Sequence, residues 1–472
     1  MADTQKSIGI IGAGPGGYAA AFLAADLGMQ VTLIDREPNP GGVCLYIGCI
    51  PSKALLHVAK VVEEARHARD WGLEFSEPKI QLEKLRGWKN DVVKKMTGGL
   101  GILAKQRKVT YLQGSAEFVD SNTVRVREAK GGEQTLRFDN IILATGSRPS
   151  TLRSIAFESA RIMDSTAALG IADIPKTMLV VGGGYIGLEL GSVYAALGVK
   201  VTVVEMTGGL LPGADRDLVK PLEARAQKIF SSVLLNTTVA GMEETKNGIR
   251  VRFEGKDIKD SEQVFDKVLV SVGRRPNSDI PGLEKTLVTK TDRGFIEVNE
   301  KRHTKDPVIY AIGDVVGEPM LAHKASHEGR VAVEAIAGHK VAFAPRAIPA
   351  VVFTDPELAW GGITESQAQA ENRSVKVVRF PWGASGRATT LDRNEGVTKL
   401  ILDPESERVL GVGICGAGAG ELIAEGVLAV EMGANAKDLS LTIHPHPTLS
   451  ETVMEAAEMV FGTSTHVYRP KR

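Results

Sequence analysis

The chain has 472 residues with Lys plus Arg and Asp plus Glu balanced at 57 each, so it carries no basic footprint for nucleic acid and is too long for a single hydrophobic core. Three cysteines in that length do not make a secreted disulfide framework, no apolar run reaches the length of a membrane span, and no basic-then-apolar leader opens the chain. These features set the expectation of a cytoplasmic protein of two to four domains, and the 51 glycines, clustered at turns between apolar runs, suit a nucleotide-binding α/β architecture.

The first element is an apolar strand, Ser7 to Ile11, followed by Gly12-Ala-Gly14-Pro-Gly-Gly17 and a helical stretch from Tyr18 to Leu27. Gly28 closes the helix, and a second strand, Val31 to Ile34, ends in Asp35. Strand, Gly-x-Gly-x-x-Gly, helix, strand and acid is the order of a dinucleotide-binding unit. Gly12 permits the tight turn, Gly14 lets backbone approach a pyrophosphate, and Gly17 permits close packing of helix on strand. The helix N-terminus then holds phosphate, and Asp35 is placed to accept a ribose hydroxyl.

Next comes Gly41-Gly-Val-Cys-Leu-Tyr-Ile-Gly-Cys-Ile-Pro-Ser-Lys53, which holds two of the three cysteines, Cys44 and Cys49. Pro51 suits the first turn of the apolar helix beyond it, so Cys49 falls at a helix N-terminus, where unpaired N–H groups and the dipole favour a thiolate. Such a pair can cycle between dithiol and disulfide. The competing readings are inert core and a zinc site. Zinc needs further ligands at suitable spacing, and Cys415 lies far away in the apolar run Val409 to Ile414, as strand core would. No metal is expected.

This run resembles the redox segment of the flavin disulfide reductases, and among them it is most similar to the dihydrolipoamide dehydrogenases. The resemblance covers about residues 5 to 462. It implies an FAD- and NAD-dependent homodimer in which Lys53 pairs with a glutamate near the flavin. Asp35 stands where the relatives usually carry Glu, and Tyr46 where the members serving 2-oxo acid complexes often carry Asn.

Val58 to Gln106 reads as amphipathic helices, broken near Trp71-Gly72 and at Gly98-Gly99, and Val109 to Arg137 as hairpin strands. Asn140 to Leu143 is a buried strand ending in Ala144-Thr-Gly146, which resembles the family's crossing segment. The dinucleotide signature then repeats: strand Thr177 to Val181, loop Gly182-Gly-Gly184-Tyr-Ile-Gly187, helix Leu188 to Leu197, and strand Lys200 to Val204 ending in Glu205. A carboxylate there accepts both ribose hydroxyls of NAD and repels a 2′-phosphate, so the second unit reads as NAD-binding rather than NADP-binding. Glu189, in this helix, is the partner the resemblance assigns to Lys53. The unit closes with strand Asp266 to Val272 and the family's exit segment, Gly273 to Asn277.

Val308 to Asp314 is a strand ended by Gly-Asp, and Ala322 opens a helix. The resemblance makes this the second FAD motif, with Asp314 on the ribitol chain. Beyond Phe343, Ile348 to Phe353, Ser374 to Phe380, Thr398 to Asp403 and Val409 to Ile414 read as antiparallel strands, with a helix from Ala417 to Met432. Near the end stands His444-Pro-His446-Pro-Thr-Leu-Ser-Glu451. Thiol chemistry needs a base near neutral pH, and histidine supplies one when a carboxylate orients its ring. The resemblance maps the base to His446 and the orienting acid to Glu451, with His444 structural or assisting at most, and Pro445 standing where the family usually has Ala. In the family this base serves the disulfide of the other subunit.

The expected fold is α/β: an FAD-binding domain in two parts (1–150 and 275–345), an inserted NAD-binding domain (151–274), and an α+β dimerisation domain (346–472). The expected partners are a second copy and a lipoyl-carrying protein or domain, whether of a 2-oxo acid dehydrogenase complex, a glycine cleavage carrier or another lipoate-binding protein. The rivals are other disulfide reductases. Glutathione-type enzymes favour NADPH, against Glu205, and mercury-reducing relatives add a C-terminal cysteine pair that is absent from the tail 462–472.

Overall fold

The computed structural model describes residues 6–152, 159–256, 258 and 260–468; the ends of the first and last expected segments, 1–5 and 469–472, lie outside them. Three main sheets organise the chain. The first has seven strands in the order Ile309–Ala311, Asn140–Leu143, Ser7–Ile11, Gln30–Asp35, Thr110–Phe118, Thr123–Glu128, Glu133–Arg137. Its first five strands run parallel, and the last three form the expected antiparallel meander. The parallel strands Ser7–Ile11 and Asn140–Leu143 are almost wholly buried, because helices cover both faces of such a sheet.

The second sheet is parallel, ordered Ser232–Leu234, Lys200–Val204, Thr177–Val181, Lys267–Val270, Ile162–Met163, with an antiparallel ribbon of Thr237–Thr245, Gly248–Gly255 and Glu262–Phe265 alongside. The chain leaves the first sheet, builds the second, and returns to add Ile309–Ala311 beside Asn140–Leu143. The outgoing and returning segments, Ser147–Pro149 and Arg274–Pro276, pair with each other as a two-stranded link.

The third sheet is antiparallel, ordered Ala350–Val352, Glu357–Gly362, Val409–Gly416, Val397–Leu402, Lys376–Pro381, with the helix Ala419–Met432 packed on it. Glu357–Gly362 is a strand the sequence pattern does not suggest, because Pro356 and Gly361-Gly362 read as turn residues; pairing with Val409–Gly416 overrides that local signal. Cys415 sits in this sheet, fully buried, and burial pushes its thiol up to about 12.

Two further expectations need correcting. The helix Leu82–Gln106 runs unbroken through Gly98-Gly99, at a propensity cost of about 1 kcal/mol per glycine that tertiary packing offsets. Within the helical stretch Gly42–Trp71, eighteen consecutive residues are apolar enough to pass for a span by length and composition alone. Its place in the fold argues against a span: the helix Cys49–His67 buries Leu55 and Ala59 in a core shared with the helix Tyr185–Ala196, and it turns its cysteine end into a cavity.

Candidate active site

The two glycine loops have the same construction. In the first, Gly12 has φ +101°, and a Cβ there would lie 2.3 Å from the Ala144 carbonyl oxygen; one on Gly17 would lie 1.9 Å from the Gly12 carbonyl oxygen. In the second, Gly182 has φ +105° and Gly187 is closed in the same way, 2.3 Å from the Gly182 carbonyl oxygen. Gly14 and Gly184 differ from these: nothing lies within 4 Å of a Cβ built on either, so backbone there faces open space at a helix N-terminus. That is the cradle a pyrophosphate needs.

The acids match as well. Asp35 accepts from the Ala13 N–H (2.6 Å) and the Glu37 N–H (3.0 Å); Glu205 accepts from the Gly183 N–H (2.8 Å) and the Thr207 N–H (2.8 Å). Each carboxylate therefore braces its own glycine loop, in addition to being placed for a ribose. Asp35 faces the cavity, whereas Glu205 is buried.

A cavity of about 770 Å³ runs from Asp35 and Glu37 past Gly12 and Gly14 to Cys49, Lys53, Glu189, Tyr185 and Asp314. Gly146 and Ala322 also line it, so the structure brings together the residues expected for the first nucleotide and the redox centre. Gly17, Gly182, Gly184, Gly187, Glu205 and Gly273 do not line it. Asp314 is held by the Ser147 hydroxyl (2.5 Å), which in turn accepts from Arg274 Nε (2.7 Å). Glu328, fully buried between Arg302 and Lys324, accepts the Gly313 N–H at 2.6 Å and so fixes the turn that presents Asp314.

The cysteine segment is two helices, Gly42–Ile47 and Cys49–His67, meeting at Gly48. Gly42 packs against Gly14, where any Cβ would come within 2.5 Å of the Gly14 Cα, so the cysteines are fixed directly against the first glycine loop. The Tyr46 hydroxyl bonds both the N–H and the carbonyl of Asn39 (3.2 Å each), which ties this helix to the preceding turn. The two thiols are hydrogen-bonded, and their acidities split. The bond from Cys44, aided by Lys53 and opposed by burial, brings Cys49 down to about 7; the same bond and burial push Cys44 up. Cys49 opens on the 770 Å³ cavity. Cys44 lines that cavity too, and also a second one of about 560 Å³ with Tyr18, Leu45, Met96 and Leu100.

Lys53 Nζ lies 2.8 Å from the buried Glu189 carboxylate, the pair the resemblance implies. Nothing in the local sequence marks their third member, Phe353: its N–H donates to Glu189 Oε1 (3.0 Å), and the Lys53 ammonium lies 4.5 Å from its ring centroid.

His446 Nδ1 lies 2.9 Å from Glu451 Oε1, and the Thr448 N–H donates to the other carboxylate oxygen (2.7 Å). Burial opposes ionisation of Glu451, but the Thr448 N–H and His446 together hold it below the usual carboxylate range. With Nδ1 against the carboxylate, Nε2 is the ring nitrogen left for another partner, and the side chain is 73% exposed. His446 lines neither of the two cavities. His444 is buried against Glu425 (2.6 Å), a structural setting.

Residues 6–329 match the family model for pyridine nucleotide-disulphide oxidoreductases, and residues 348–457 that for the dimerisation domain of the same family. The chain is 49% identical over 469 residues to a dihydrolipoyl dehydrogenase of Haemophilus influenzae, covering 99% of this chain and 98% of that one. It is 47% identical to one from Geobacillus stearothermophilus, covering 97% of each. Among solved structures, LpdA of Mycobacterium tuberculosis superposes with a TM-score of 0.89 at 27% identity, covering 96% of this chain and 99% of that one. RclA, an HOCl-induced flavoprotein disulfide reductase of Escherichia coli, does so with a TM-score of 0.85 at 26% identity, covering 96% and 100%.

Proposed function

The chain belongs to the pyridine nucleotide-disulphide oxidoreductase family, and from that premise we propose that it is an NAD-dependent dihydrolipoyl dehydrogenase acting on a dithiol carried by a lipoyl protein. FAD and NAD are its cofactors, and its C-terminal unit makes it a homodimer. The 770 Å³ cavity, with open backbone at Gly14 and with Asp314 in its lining, fits FAD, and the second glycine loop with Glu205 fits NAD. When bound, FAD supplies a two-electron relay between the cysteine pair and NAD⁺.

The observation that carries this reading is the position of Cys44, which lines both cavities while Cys49 lines only the larger one. A dithiol arriving through the smaller cavity meets Cys44 first. His446, contributed by the second subunit and oriented by Glu451, takes the thiol proton on Nε2. The substrate thiolate attacks Cys44 Sγ of the oxidised pair, and Cys49 leaves as thiolate. The acidity split favours this direction, because the more acidic thiol is the better leaving group. The second substrate thiol then attacks the substrate sulfur of the mixed disulfide, its proton passing to the departing Cys44 sulfur while the first proton stays on His446. The substrate leaves as a cyclic disulfide, with Cys44 as thiol and Cys49 as thiolate, held near Lys53 and Glu189. The segments 1–150, 151–274, 275–345 and 346–472 are the division that serves this relay. A dithiol kept reduced in the cytoplasm is the setting it suits.

The test is anaerobic mixing of the purified protein with dihydrolipoamide, then with NAD⁺. A long-wavelength absorbance band, then NADH, is expected. No band with dihydrolipoamide but one with NADPH would move the chain to another substrate within the family.

A further inference from the structure

Lys399, on strand Val397–Leu402, is fully buried and takes no part in the chemistry above. Its ammonium touches three carboxylates: Asp215 (2.7 Å), Asp217 (2.8 Å) and Glu365 (2.8 Å). Arg379 adds a second cation, 2.5 Å from Asp217 and in contact with Glu365. The three carboxylates lie within 4.8 Å of one another, a spacing that would suit a metal ion, and the ammonium sits among them instead. A charge buried this completely is tolerated only when each of its donors is met.

The cluster joins two units built on separate sheets. Asp215 and Asp217 belong to the start of the helix Arg216–Ile229 in the second nucleotide unit, and Glu365, Arg379 and Lys399 belong to the C-terminal unit. Asp215 stands at the N-cap, yet its carboxylate bonds across the gap to the N–H groups of Glu365 (3.0 Å) and Ser366 (3.1 Å). Leu218 and Leu222 of the same helix bury themselves in a core with Leu358 and Cys415. From Asp215 a bonded path leads back to the second glycine loop. Arg216 holds the carbonyls of Leu210 (2.7 Å), Leu211 (2.8 Å) and Ala214 (2.8 Å), and the Leu211 N–H donates to the Gly183 carbonyl (2.9 Å).

We propose that Lys399 is a positioning residue for the pyridine nucleotide: by clasping Asp215 and Asp217 it holds residues 207–215 as the fixed floor of the second glycine loop. This rests on the assignment of that loop to NAD. The first glycine loop needs no such clasp, because its own downstream segment packs back on it through Gly42. The second loop is instead braced from the C-terminal unit.

The experiment uses the FAD-loaded dimer with Lys399→Met. The expected result is a KM for NAD⁺ raised about tenfold, with the rate of anaerobic reduction by dihydrolipoamide within about twofold of the parent. An unchanged KM for NAD⁺ overturns the proposal, and so does equal slowing of both half-reactions, which would mark a general loss of structure. Should Lys399→Met fail to fold, Glu365→Gln, at the more exposed edge of the cluster, is expected to raise the same KM about threefold, and no rise overturns the proposal. If the parent protein does not oxidise dihydrolipoamide at all, the substrate reading fails separately. The KM for NADH in ferricyanide reduction then decides the role of Lys399, with the same rise expected and its absence overturning the proposal.

Discussion

The two glycine-loop units are near copies in backbone and differ in the segments downstream of them. Each has a left-handed first glycine, an open second glycine, a closed third glycine, and an acid that braces the loop from the end of the next strand. After Asp35 the chain turns straight into the cysteine helices, so the first glycine loop and the cysteine pair are packed together within the first 53 residues. After Glu205 the chain runs into a loop and a helix with no reactive group, braced by a buried charge cluster from the far end of the sequence. One nucleotide architecture thus serves two tasks. In the first unit the local chain fixes the chemistry; in the second the tertiary structure does.

The largest expected effect falls on what distinguishes the first unit. Cys49→Ser should lower turnover by about 10⁴-fold or more while the yellow cofactor stays bound, measured by NADH production and by flavin absorbance. Loss of the flavin would mean that the cysteine helices and the glycine loop cannot be separated as drawn. Next, His446→Gln should slow thiol–disulfide exchange by about 10²- to 10³-fold in stopped-flow reduction by dihydrolipoamide, with reoxidation by NAD⁺ little changed. Equal slowing of the two steps would remove His446 from the role of base.

A glycine series sharpens the likeness of the two loops. Gly17→Ala and Gly187→Ala place a methyl against backbone and should each cost about 1–3 kcal/mol of stability in denaturant titrations. Gly14→Ala and Gly184→Ala meet no protein atom, so stability should hold. The first should weaken FAD retention and the second raise the KM for NAD⁺, each by about tenfold. If either open glycine proves as disruptive as the closed ones, the space beside it is not reserved for phosphate.

The smallest effect concerns the brace of the second unit. Burial works against ionised Asp215 and Asp217, but hydrogen bonds from Lys399, joined by the Glu365 and Ser366 N–H groups at Asp215 and by Arg379 at Asp217, hold both carboxyls below the usual carboxylate range. A carboxyl whose pKa is depressed on folding adds stability above its unfolded value, near 4, and loses it as pH falls through the folded value. The urea midpoint should therefore drop between neutral pH and about pH 3, and that drop should be shallower in Lys399→Met.

The sequence alone determined the parts whose physics is local. A positive-φ glycine, a helix N-terminus, an acid closing a strand and a thiol at the head of a helix are each fixed within about 30 residues, so spacing reveals them. Both nucleotide units and the cysteine pair were legible for that reason, whereas the pairing of His446 with Glu451 came from the resemblance to the family. The tertiary structure alone decided the partners: Phe353 on Lys53 and Glu189, Ser147 on Asp314, Arg274 on Ser147, Glu328 on Gly313, and Lys399 on Asp215 and Asp217. These contacts are mostly made across one hundred residues or more, and Lys399 reaches Asp215 across 184. A buried lysine in an apolar strand has no local pattern to announce it. Likewise the strand Glu357–Gly362 and the unbroken helix through Gly98-Gly99 arise because sheet pairing and packing outweigh the propensity of a few glycines and a proline.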